Sequence, residues 1–138
     1  MTQLLQQAEI TIDRIEALAK QAFIDTGRDE DGDLFLLEDG VRTFVRVDTE
    51  RNMITFFSVW PLRASISIEA KHELANKLND DLIMVRFYVP RPHMLWCDFQ
   101  FFYAGGVSAF QIINTYKRFS SICESVGSEE NRGIVGRD

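Results

Sequence analysis

Apolar positions step by three and four from residue 3 to residue 24. Leu4, Ala8, Ile12, Ile15, Ala19, Ala22 and Phe23 share one side, while Glu9, Asp13, Arg14, Glu16 and Lys20 take the other. That spacing predicts a first helix, with Gly27 as its stop. The period then changes to two. Residues 34–37 form a short apolar run, and Asp39-Gly40 is a strong hairpin signal because both turn positions tolerate positive φ. Val41, Thr43, Val45 and Val47 then alternate with Arg42, Phe44, Arg46 and Asp48. Glu50-Arg51-Asn52 marks the next turn, and residues 53–60 make an aromatic-rich third strand that Pro61 ends.

A second helix is predicted over residues 67–78. Ser67 is its N-cap, Glu69 suits the positive first turn, and Ala70, Leu74, Ala75 and Leu78 are its buried stripe. Asn79-Asp80-Asp81 is expected to break it. Residues 83–89 read as the fourth strand, closed by Pro90-Arg91-Pro92, and residues 95–103 as the fifth. Gly105-Gly106 reorients the chain, and Ser108 with Gln111 forms a capping box ahead of a third helix. Phe110, Ile112, Ile113, Tyr116, Phe119, Ile122 and Cys123 lie on the inner side of that helix. From residue 127 the chain is polar, without a period, and expected to be a flexible tail. The order α-β-β-β-α-β-β-α with tight hairpins predicts one α+β domain over residues 1–126, built on a five-stranded antiparallel sheet.

Composition narrows the function more than the fold. The 138 residues are 46% hydrophobic, with eleven Phe, enough for a sizeable core without staples. Two cysteines at positions 97 and 123 make no disulfide framework and point to a reducing, cytoplasmic setting. No apolar run approaches the roughly 20 residues of a membrane span, and the start of the chain lacks the basic-then-apolar order of a signal peptide. Net charge is −6. Within residues 25–39, seven acids stand against one base, Arg28, which accounts for the whole excess. With no basic stripe, neither nucleic acid nor an anionic membrane is an expected partner.

The chemical motifs are weak. Asp29, Asp31, Gly32 and Glu38 fall at positions 3, 5, 6 and 12 of a calcium-loop pattern, but position 1 is Gly27 and a strand follows where the motif needs a helix. A solvated acidic loop is the better reading. His72, His93, Cys97 and Cys123 are the soft metal ligands, and of these only His93 and Cys97 have a zinc-like spacing. Cys97 shares a strand face with Phe99 and Phe101, which reads as a buried core thiol. Gly105-Gly106-Val107-Ser108 opens a helix without the spacing or lysine of a phosphate loop. No metal, cofactor or catalytic constellation is expected.

The sheet is the most informative element. One face is filled by Val41, Val45, Val47, Ile83, Val85, Phe87, Cys97, Phe99 and Phe101, under the first and third helices. The other carries Arg42, Phe44, Arg46, Met84, Arg86, Tyr88, Trp96, Asp98, Gln100 and Phe102. The third strand adds either Phe56 and Trp60 or Phe57, depending on its phase. A solvated sheet face is normally polar, whereas aromatic rings and Met mixed with Arg are enriched where proteins meet. Cover by the second helix, by a twin subunit or by a partner polypeptide would each account for it.

Several local features resemble the bacterial YbjN-domain family, described as sensory transduction regulators. They are Asp31-Gly32-Asp33 before the first strand, Leu78-Asn79 at the end of the second helix, and Phe101-Phe102-Tyr103-Ala104-Gly105-Gly106-Val107 into the third. The likeness spans about residues 3–125. The family in turn resembles the class I chaperones of type III secretion, small acidic dimers with the same element order. The resemblance implies a non-catalytic, homodimeric regulator or adaptor without a cofactor, or alternatively a chaperone for an extended segment of a secreted partner. Pairing in such chaperones uses the second helix and the following strand. Carried onto this chain, that names Ala70, Leu74, Met84, Arg86 and Tyr88 as contact residues, joined by Trp96 and Phe102 on the aromatic face.

Overall fold

A computed structural model of the chain describes residues 3–138. Eight strands and three α-helices follow in order: β1 (Leu4–Leu5), α1 (Ile12–Gln21), β2 (Asp25–Arg28), β3 (Leu34–Glu38), β4 (Val41–Asp48), β5 (Met53–Pro61), α2 (Ile68–Asp81), β6 (Arg86–Arg91), β7 (Met94–Phe102), β8 (Val107–Ser108) and α3 (Ala109–Glu124). The mixed α+β class and the antiparallel sheet are as the sequence predicts. The sheet has six strands rather than five, in the order β2-β3-β4-β5-β7-β6, and β1 pairs separately with β8.

The hairpins form where turn chemistry places them. Asp39 and Gly40 both take positive φ, as a two-residue turn requires. Ser67 Oγ accepts from the Ala70 amide at 3.2 Å, and Ser108 Oγ from the Gln111 amide at 3.0 Å, so both predicted N-caps are in place. Gly106, at φ 108°, passes so close to the Leu5 carbonyl that a Cβ would lie 2.6 Å from its oxygen. That close approach lets β8 dock on β1.

Five expectations change. The stretch expected as one long first helix is divided, because Thr11 caps α1 through the Arg14 amide and Leu5 is drawn into the core from β1. α1 then ends well before Gly27, with the Phe23 amide bonded to the Lys20 carbonyl and the Ile24 amide to the Ala19 carbonyl. In this closing motif Phe23 holds the left-handed position glycine prefers, at φ 61°, a strain on the order of 1 kcal/mol. Gly27 lies inside β2, the extra edge strand, where the Phe35 ring covers it.

Asn79-Asp80-Asp81 stays helical, and α2 ends only at Leu82. The Asn79 amide serves the neighbouring strand, accepting from the Phe87 amide at 2.9 Å and donating to the Phe87 carbonyl at 2.8 Å. Those bonds close the outer edge of β6 at that point. β6 begins at Arg86, not Ile83; Met84 adopts φ 72° and Ile83 is exposed in the preceding turn rather than in the core. Beyond residue 126 the chain is packed in place. Val126 and Val135 are buried, Val135 bridges Leu62, and the buried Asn131 side chain donates to the Val126 carbonyl at 3.1 Å.

All three helices send apolar side chains into one continuous core. Leu18 and Ala19 of α1, Leu74, Ala75 and Leu78 of α2, and Ile112, Tyr116 and Phe119 of α3 meet Ile54, Phe56, Phe87, Leu95 and Cys97 of the sheet. Phe57 is only 6% exposed yet stands outside that core, on the opposite side of the sheet. Cover by the second helix is thereby decided against, since the buried stripe of α2 joins the same core as α1 and α3.

Candidate functional site

On that opposite side, the register of five strands lines up aromatic rings. Phe35 of β3 pairs with Phe44 of β4, Phe44 with Phe57 of β5, and Tyr88 of β6 with Trp96 of β7. Ring centroids follow at 5.9 Å for Phe35–Phe44, 5.2 Å for Phe44–Phe57, 4.6 Å for Phe57–Trp96 and 6.2 Å for Trp96–Tyr88. The two central pairs are stacked nearly parallel. The result is a ladder of five rings across the sheet.

Arginines lie on this ladder. The Arg42 guanidinium sits 4.0 Å from the Phe35 ring centroid, Arg46 is 4.5 Å from Phe57, and Arg86 is 4.9 Å from Tyr88. Among the described residues, Arg42 and Arg46 have no acidic partner within ion-pair distance. Their planar faces are spent on rings while their edges keep free N–H donors. Arg86 is engaged: its Nε and Nη2 donate to the two Asp98 carboxylate oxygens at 2.9 and 2.6 Å, and Trp96 Nε1 donates to the same carboxylate at 2.9 Å. Hydrogen bonding to Asp98 raises the Arg86 guanidinium above its usual value, against partial desolvation. A groove of about 740 Å³ runs over Arg46, Thr55, Arg86, Trp96, Asp98 and Gln100.

The expected contact residues do not form one patch. Arg86, Tyr88 and Trp96 converge on the ladder, and Phe102, 71% exposed, projects from the far end of β7. Leu74 is buried in the chain's own core, Ala70 lies half-buried on α2, and Met84 packs against the core from the turn before β6. Phe35 and Phe57 are the members that pattern reading left out or undecided. The strict alternation of Leu34 and Leu36 with Phe35 and Leu37 is the signal for the first. The phase of β5 is set by its pairing with β4 and β7, which puts Phe56 and Trp60 inward and Phe57 outward.

Two further groups of candidates have defined surroundings. Cys97 and Cys123 are both free and buried in the core, and burial, with Cys123 beside it, pushes the Cys97 thiol well up. Asp29, Asp31 and Asp33 gather carboxylate oxygens within 4.8 Å of one another. Asp29 Oδ1 accepts from the Asp31 and Asp33 amides, so the loop is organised by its own backbone. Glu38 is not with them and faces Lys117 at 3.5 Å.

No helix among the described residues is long and apolar enough to cross a membrane. No curated protein sequence gives a match to the chain. The crystal structure of YbjN from E. coli, described as "a putative transcription regulator", superposes with a TM-score of 0.75 at 15% sequence identity, covering 92% of this chain and 96% of that one. That likeness is one of fold. The family profile described as "Putative bacterial sensory transduction regulator" matches residues 11–129, nearly the full length of the sheet and its three helices, and the chain belongs to this YbjN family.

Proposed function

We propose that the protein is a non-catalytic regulator or adaptor of the bacterial cytoplasm that binds another polypeptide across its open sheet face. One observation carries the reading. All three helices are committed to one side of the sheet, and the other side presents a five-ring ladder carrying Arg42 and Arg46, which have no acidic partner among the described residues. Rings and arginines with free donor edges are the side chains that dominate protein–protein contacts. Phe57 and Asp98 are already sheltered, so the face is preorganised and loses little freedom on binding. The description of the family as a regulator suits such a role.

The test compares proteins captured by the intact chain with those captured by the double variant Arg42→Glu, Arg46→Glu. Both side chains are exposed, so the variant keeps its fold, checked by circular dichroism. A partner retained by the parent and by a Lys20→Glu control, but lost by the double variant, supports the reading. An unchanged set of partners rejects it.

A further inference from the structure

The chain has a net charge of −6, yet two arginines on its open sheet face are left without a carboxylate. The ion pairs among the described residues are made by other cations: Arg14, Arg28, Arg51, Lys77, Arg86 and Lys117. Arg42 and Arg46 are exposed, and each guanidinium is held over a ring, 4.0 Å from Phe35 and 4.5 Å from Phe57, rather than drawn to an acid. They stand four residues apart on β4 with the half-buried Phe44 midway, so all three side chains leave the same side of the sheet. The row is therefore cation, ring, cation. At ~3.3 Å per residue, the two charges are anchored about 13 Å apart. Two acids on that face are already engaged. Asp98 accepts from Arg86 and Trp96, and Asp48 accepts from the Glu50 and Arg51 amides and pairs with the Arg51 guanidinium at 3.4 Å.

Resting on the reading that this face binds a polypeptide, we propose that the partner presents an extended acidic segment, with carboxylates four residues apart and an apolar side chain midway between them. Charge complementarity fixes the sign, because a basic segment would bring like charge to Arg42 and Arg46. The spacing fixes the conformation. Same-side residues of an extended chain recur every two positions, about 6.6 Å apart, as Arg42, Phe44 and Arg46 do. On a helix, residues four apart rise by only about 6 Å and cannot reach both arginines. Laid along β4, the segment gives each guanidinium edge a carboxylate that can accept two hydrogen bonds. Its midway side chain covers Phe44, beside the stacked Phe57 ring. Guanidinium groups already held by rings lose little freedom when they pair.

Fluorescence anisotropy of the full chain with labelled synthetic peptides tests the partner class. The probe is a short threonine-rich peptide with two glutamates four positions apart and a leucine midway; its control carries lysines in place of the glutamates. The glutamate peptide should bind, and bind about tenfold more weakly when salt is raised from low concentration to about 0.5 M. Arg42→Gln and Arg46→Gln should each weaken it about two- to fivefold. Both side chains are exposed, so these variants keep the fold, and the salt and lysine-peptide arms use the unaltered chain. No binding of the glutamate peptide at millimolar concentration, equal binding of the lysine peptide, or indifference to both substitutions overturns the proposal. Tighter binding of single-stranded oligothymidylate overturns it too, by assigning the rings to stacking bases. The capture experiment above keeps the two claims apart. A partner lost by the Arg42→Glu, Arg46→Glu variant, whose contacting segment maps by cross-linking to a sequence without paired acids, removes this proposal and leaves the polypeptide-binding reading. An unchanged set of partners removes both.

Discussion

Arg86 and Asp98 face each other across β6 and β7 with unequal shelter: the carboxylate side chain is 6% exposed and the guanidinium 62%. The pair is the polar centre of an otherwise aromatic face. Removing either member has different consequences, because only one of them can be rehydrated in place. Arg86→Ala leaves a sheltered carboxylate with Trp96 Nε1 as its remaining side-chain donor, and should cost about 2–3 kcal/mol. Asp98→Asn leaves the arginine free to extend into water and still offers Trp96 an acceptor, and should cost about 1 kcal/mol. Urea denaturation of the two variants gives the order; equal costs, or the reverse order, would contradict this account.

Asn79 stands in for a missing strand by taking both backbone groups of Phe87 at the sheet edge. Asn79→Ala should lower stability by about 1–3 kcal/mol, since a sheltered amide and carbonyl lose their partners together. Freed backbone at an edge also invites pairing with other chains, so the variant should aggregate faster at equal unfolded fraction. Chemical denaturation and turbidity on the same samples check both parts.

Alkaline pH should unfold the protein through groups held neutral in its core. Burial pushes Cys97 above the ordinary thiol value of 9.0, and burial, with the charge of Glu38 nearby, pushes Tyr116 above the ordinary phenol value of 10.0. The folded chain then binds more protons than the unfolded chain wherever those free groups would ionise, so stability falls as pH rises. The loss should begin near pH 9 and steepen beyond pH 10. The Tyr116 hydroxyl is buried near Ser120 and Glu38 but makes no hydrogen bond of good geometry among the described residues. Tyr116→Phe should therefore be neutral or stabilising by up to about 1 kcal/mol at pH 7 and flatten the alkaline limb. Thermal melts from pH 7 to 11 read both effects, and a destabilised Tyr116→Phe with an unchanged limb would contradict them.

The acidic loop after β2 combines repulsion with one useful carboxylate. Asp31→Asn and Asp33→Asn should leave stability within about 0.5 kcal/mol or raise it, most visibly at low salt. Asp29→Ala should cost about 1 kcal/mol, because Asp29 Oδ1 accepts two loop amides. If calcium raises the melting temperature of the parent but not of Asp31→Asn, the cluster holds a metal and its role is more than structural.

Local chemistry determined much of this protein before any tertiary contact is considered. Ser67 and Ser108 cap their helices, Asp39-Gly40 turns its hairpin, and the alternation along residues 41–48 assigns each side chain to a face, because caps, turns and pleats depend on neighbours within four residues. The features of the YbjN family, from Asp31-Gly32-Asp33 to Gly105-Gly106, are likewise short-range punctuation. What the sequence left open depends on groups far apart in the chain. The apolar steps of residues 3–24 are compatible with one helix, and only the pairing of Leu4 and Leu5 with Ser108 and Val107, with Leu5 drawn into the core, divides it. Residues 25–28 read as acidic loop, and only pairing with β3 makes them a strand. Asn79 reads as a helix breaker until an open strand edge lies beside it. The phase of β5, and so the inclusion of Phe57 in the ladder, is set by its register against β4 and β7. That all three helices gather on one side follows from packing a single core, and it is this choice that leaves the aromatic–arginine face uncovered.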